Sequence, residues 1–117
     1  MLKSVITTLT VNNSTAVKKF FSIPEGKEFE LSVMKVFAEP VKEEKLSGQF
    51  PLSPSYTLTV KGDSGYIVVE GGEKTPAYRK VYSVNPLIFT GNISAVLTSD
   101  EEVTLTIEIT GLERWKR

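Results

Sequence analysis

Apolar and polar residues alternate without a break from Val103 to Thr110, with Val103, Leu105, Ile107 and Ile109 in one phase and Thr104, Thr106, Glu108 and Thr110 in the other. A period of two marks a strand with one buried face, and β-branched residues suit a pleated surface. Ser4 to Val11 alternates in the same way up to Asn12-Asn13-Ser14, a cluster of turn formers where a first strand is expected to end. Ala16 to Ile23 predicts a second strand, bounded by Pro24-Glu25-Gly26. In Glu28 to Ala38 the apolar phase runs Phe29, Leu31, Val33 and then shifts to Met34, Val36, Ala38. Such a slip is left by a β-bulge or by a strand buried on both faces.

From residue 39 to 55 the period dissolves around Pro40, Pro51 and Pro54. A long Pro-rich loop is expected there, with a short helical turn over Val41 to Leu46 as the local alternative. Long irregular connections in compact domains are usually functional and suit contact with a neighbour. Tyr56 to Val60 and Tyr66 to Glu70 predict a hairpin closed by Lys61-Gly62-Asp63-Ser64-Gly65, its glycines supplying positive φ. Ala77 to Ser83 reads as a strand, Asn85-Pro86 as a turn and Leu87-Ile88-Phe89 as a short buried piece. Ile93 to Leu97 follows, and Thr98-Ser99-Asp100-Glu101 connects it to the strand at Val103. About eight or nine short strands without an amphipathic helix predict an all-β fold, an antiparallel β-sandwich of jelly-roll type, with a small β-barrel as the alternative. At 117 residues, a single domain spanning 1–117 is expected.

Composition then removes whole classes of chemistry. The chain has neither histidine nor cysteine, so Ser-His-Asp and Cys-His machinery is impossible and the usual zinc, haem and iron–sulfur ligands are missing. Asp63, Asp100, Glu101 and Glu102 are better read as turn residues than as a calcium loop, which needs a denser set of oxygens. No phosphate-cradling glycine motif occurs. A facing carboxylate pair for glycoside hydrolysis cannot be read from a sequence, and glutamates such as Glu108 fall on the expected solvent phase. The expectation is therefore a protein that is not an enzyme and carries no cofactor and no metal.

Charge narrows the partners. Lys plus Arg and Asp plus Glu are 14 each, so no global field draws the chain to nucleic acid. Lys18-Lys19-Phe20-Phe21 would split its aromatics between two faces of a strand, whereas Tyr78, Lys80 and Tyr82 share one. That second face, extended by Tyr56 and Tyr66 if their strands adjoin it, is a candidate binding surface for protein or carbohydrate. Trp115 and Arg114 lie in a basic C-terminal tail, and both residue types are enriched at interface hot spots. The N-terminus alternates instead of running apolar, so neither a signal peptide nor a transmembrane segment is expected. Asn12, Asn13 and Asn92 open Asn-X-Ser/Thr patterns, read here as turn chemistry.

These features point to a soluble structural or assembly module acting through protein–protein surfaces, either on itself as a homo-oligomer or on another protein. Small virion accessory proteins, such as phage decoration or tail components, have this kind of composition. The alternative is a carbohydrate-binding module using an exposed tyrosine face.

Overall fold

The computed structural model describes residues 1–39, 53–72 and 75–117. These contain six strands: β1 (Leu2–Ser22), β2 (Lys27–Ala38), β3 (Tyr56–Lys61), β4 (Tyr66–Gly71), β5 (Tyr78–Phe89) and β6 (Asn92–Trp115). All pairings are antiparallel and belong to one sheet, in which β6 is the spine. β1 lines one side of β6 along nearly its whole length. On the other side β3 pairs with the first part of β6, between Ser94 and Thr98, and β2 with the second, between Leu105 and Trp115. β4 extends the sheet beyond β3, and β5 extends it beyond β2.

A straight strand of this length cannot fit the molecule. The 24 residues of β6 would span roughly 80 Å at the usual rise, whereas the longest dimension is 51 Å. The β1–β6 ribbon bends where Asn12 pairs with Glu102 and Ser14 with Ser99, leaving Asn13 to face Asp100 and Glu101. Asn13 takes φ of 49°, a conformation that asparagine tolerates better than most residues. The turn clusters expected to end separate strands are therefore bulges inside two long strands. They curl one sheet into a half-barrel, and the expected sandwich of about eight or nine short strands is replaced by this single bent sheet.

The inner face carries the core. Val103, Leu105, Ile107 and Ile109 of β6 are buried as their alternation requires, and Ile93, Ala95 and Leu97 continue the same phase on the other side of the bend. Phe29, Leu31, Met34 and Val36 of β2, Leu58 and Val60 of β3 and Phe89 of β5 meet them. Each such Val, Leu, Ile, Met or Phe side chain contributes about 1.5–3 kcal/mol on burial. The phase slip in β2 is a β-bulge between Leu31 and Val33, which keeps both halves of the strand facing the core. Phe20 and Phe21 both pack against the core because the register shifts between Lys19 and Phe21, so they are not split between faces.

Among the described residues β4 and β5 are not paired, and short bonds tie the two limbs of the half-barrel together. Arg79 Nη1 donates to the Glu70 carbonyl at 2.7 Å, Asp63 N–H to Thr90 O at 2.8 Å and the Ser64 hydroxyl to Ile88 O at 3.1 Å. Gly62 and Gly65 serve this docking instead of supplying positive φ. A β-carbon at Gly62 would sit 2.9 Å from Thr90 O, and one at Gly65 3.2 Å from Ile88 O. Asn85-Pro86 does not divide β5 either. Tyr82 pairs with Val33 and Leu87 with Leu31, so residues 83–86 form an irregularity opposite Ser32 inside one strand. Most of the expected 39–55 loop, including the Val41 to Leu46 turn, lies outside the described residues. No helix among the described residues is long and apolar enough to cross a membrane.

Candidate binding surface

The outer face of the limb built from β5, β2, β6 and β1 gathers what the sequence pointed to, together with residues it did not. Pairing places Tyr78 opposite Phe37, Lys80 opposite Lys35 and Tyr82 opposite Val33. The rows continue across β6 into β1 as Thr106 and Thr8, Glu108 and Ile6, and Thr110 and Ser4. Tyr78 is 48% exposed and Tyr82 63%, Lys80 is exposed between them, and Phe37 is solvent-facing on the neighbouring strand. Two aromatic rows thus flank a charged row in which Lys35 and Glu108 lie 3.6 Å apart.

The other half of this face is hydroxyl-rich, with Glu108 its one charged side chain. Ser4 and Thr110, Thr8 and Thr106, and Thr10 and Thr104 pair their hydroxyls at 2.8, 3.1 and 3.0 Å. These are the non-hydrogen-bonded positions of the ladder, where opposed side chains approach most closely. Because the hydroxyls satisfy one another, the surface is polar without an open cluster of donors.

Tyr56 and Tyr66 do not join the platform. Their strands flank the first part of β6, in the other limb, and the two tyrosines point in opposite directions. Tyr66 is exposed, while Tyr56 is buried with its ring over Gly71. Burial raises the Tyr56 phenol above its ordinary pKa, and the nearby Arg79 guanidinium and Ser53 hydroxyl offset this only in part. That phenol belongs to the core, beside the Arg79–Glu70 tie.

Arg114 and Trp115 are likewise not on a free tail. β6 stays paired with β2 through Trp115, which lies opposite Lys27. The Arg114 guanidinium contacts Glu28 Oε2 at 3.0 Å and Glu30 Oε1 at 2.6 Å. These contacts raise its pKa, the Glu30 hydrogen bond contributing most, against a smaller opposing effect of desolvation. Trp115 is 67% exposed, but its ring rests on the Gly26 turn, with Lys27 Nζ 4.7 Å from the ring centroid. This end of the sheet is therefore a charge-laced rim some rows from the tyrosines.

Behind the rim lies a buried carboxylate. Glu113 contacts Lys3 Nζ at 3.1 Å and Lys27 Nζ at 3.4 Å, and Lys3 in turn sits 5.8 Å from the centroid of the Phe21 ring. Burial acts to raise the Glu113 pKa, but its bonds to the two lysines outweigh this and hold it below the usual carboxylate range. Neutralised by two cations at the open end of the core, the group ties β1, β2 and β6 together.

Val33 is the surface residue that alternation misplaces, whereas the shifted phase through Met34, Val36 and Ala38 already turns Phe37 outward. Val33 looks like a continuation of the Phe29, Leu31 phase, and only the bulge turns it outward together with Lys35 and Phe37. Comparison with protein-family models finds none that matches the chain, and comparison with curated proteins finds no match.

Proposed function

We propose that this chain is a non-enzymatic assembly or attachment module that engages a protein partner through the outer face of β5 and β2. The observation that carries this reading is the juxtaposition of Tyr78 with Phe37 and of Tyr82 with Val33 on a solvent-facing sheet. Exposed aromatics on either side of the Lys35–Lys80 row, with hydroxyls beside them on β6 and β1, have the mixed aromatic and polar make-up of a protein-binding patch. Phe37 adds ring area without a hydroxyl, which favours an apolar protein surface over a hydrated ligand. A virion accessory role is one setting in which such a module would work.

A second reading is carbohydrate binding. It draws on Tyr78 and Tyr82 alone, which stand on one strand about 13 Å apart with Lys80 between them. That span suits a short glycan lying along β5.

The test is to place a photo-reactive phenylalanine analogue at position 37 and irradiate the full chain in extract of its native source, with the same analogue at the buried position 29 as control. A single cross-linked polypeptide seen only from position 37 is the expected result. No cross-link, together with glycan-array binding lost on Tyr82→Ser, would replace the protein reading with the carbohydrate one.

A further inference from the structure

We infer that the free edge of β1 is a strand-pairing site for a second copy of this chain, centred on Ser4. This concerns a different surface from the aromatic face and stands or falls independently of what that face binds.

The first observation is the edge itself. Among the described residues β1 pairs only with β6, so its far side is unpartnered. Met1 and Glu113 exchange both backbone hydrogen bonds, at 2.8 and 2.9 Å, which fixes the parity of the ladder. In the register that pairs Leu2 with Leu112, the backbone groups of Leu2, Ser4, Ile6 and Thr8 therefore point to the open side. Lys18 Nζ confirms this by donating to Thr8 O at 3.3 Å from beyond the strand.

The second observation is charge. Exposed edges are normally blunted with charged residues or proline. In a chain whose residues are 24% charged, β1 carries no charge and no proline from Ser4 through Val17. Within the span Leu2–Ile6 the one charged side chain is Lys3, which is tied to Glu113 at 3.1 Å, and with Ser4 on the axis it faces Val5 of the other copy instead of a second Lys3.

The third observation is side-chain complementarity under a two-fold axis. Antiparallel pairing of identical strands is self-complementary, each residue finding its symmetry-related partner. With Ser4 at the centre, Leu2 of one copy faces Ile6 of the other, twice. These two outer-face side chains are 68% and 64% exposed in the single chain, and Leu112 lies beside Leu2. Pairing would cover all of them. Lys18 sets the limit of the register: it occupies the Thr8 carbonyl, so pairing runs from the start of the strand to Ile6 and stops there. Centring on Ile6 instead would require that lysine to leave.

So short a pairing is small beside the roughly 1,200 Å² of a stable interface, and the association is expected to depend on concentration. The test is sedimentation equilibrium of the full chain from about 1 μM to about 1 mM, a range that spans weak dimers. Alongside it, amide exchange would be followed at both ends of the range. The expected result is a monomer–dimer equilibrium in which the Leu2, Ser4 and Ile6 amides slow as concentration rises. Ser4→Pro removes an N–H that faces outward and spares the β1–β6 ladder, so it should weaken dimerisation at least about tenfold. Ile6→Glu should do the same by placing a charge opposite Leu2, and it decides the matter if the proline variant does not fold. A monomer throughout the range, or a dimer unchanged in Ile6→Glu, would overturn the inference. Phe37→Ser should leave the dimer intact, which separates this edge from the aromatic face.

Discussion

The backbone carbonyl of Glu30 and the ring of Phe29 together fill the space that a β-carbon at Gly111 would occupy, the Phe29 Cε1 and Cζ atoms lying 2.7 Å from that position. The two residues sit on neighbouring strands next to the β2 bulge, where Leu31 pairs with Gly111 and the following pair is Val33 with Thr110. The glycine thus makes room for a fully buried phenylalanine and for the β2 backbone beside it, and Phe29 also packs edge-on against Phe21 at a centroid distance of 5.5 Å. Gly111→Ala should cost about 1–3 kcal/mol through overpacking, seen as a lower urea midpoint with an unchanged slope. An alanine variant as stable as the parent would show that this contact does not constrain the core.

Asn13 gives a conformational test of the bend. Its φ of 49° is unfavourable for β-branched residues, so Asn13→Val should lose about 1–2 kcal/mol, whereas Asn13→Gly should stay within about 0.5 kcal/mol. Thermal unfolding of the two variants side by side would separate backbone strain from side-chain loss, since both remove the amide. Equal stability of the two would mean that the bend does not depend on this conformation.

The aromatic face should be nearly neutral for folding. Tyr82 is largely exposed, so Tyr82→Ser should change stability by no more than about 0.5 kcal/mol while removing partner binding. Chemical denaturation combined with the cross-linking assay measures both. A large loss of stability would mark the residue as structural and remove it from the surface.

Glu113 predicts a pH dependence with a defined sign. Its carboxyl is held below its ordinary range by Lys3 and Lys27, against the opposing effect of burial. A folded-state pKa below the unfolded one, about 4.3, stabilises the fold above that value, and the contribution is lost as pH falls through the folded pKa. The parent should therefore lose stability below about pH 4 more steeply than Glu113→Gln. At neutral pH the variant should be weaker by about 1–3 kcal/mol, from the lost charge-assisted contacts. Identical acid limbs in the two denaturation profiles would show that the carboxylate is not coupled to folding.

Local pattern determined a good deal here by itself. Alternation at Val103–Thr110 named the buried face of the spine, the phase slip in β2 announced its bulge, and Lys61–Gly65 marked the hairpin, because side-chain period and turn chemistry act within a few residues. The absence of histidine and cysteine narrowed the chemistry before any fold was known. Long-range pairing decided the rest. Asn12-Asn13-Ser14 and Thr98–Glu101 look like turns in isolation, and they became a bulge because each lies opposite the other in a ladder that continues past both. Tyr56 and Tyr82 are the same residue in similar alternating runs, yet one is buried and the other exposed, since register and curvature choose which phase faces the core. Phe37 joined Tyr78 only when β2 and β5 paired. Arg114, expected as part of a basic C-terminal tail, is held by Glu28 and Glu30 on a strand distant in sequence. Periodicity fixes the two faces of each strand, and only tertiary pairing determines which strands share a face.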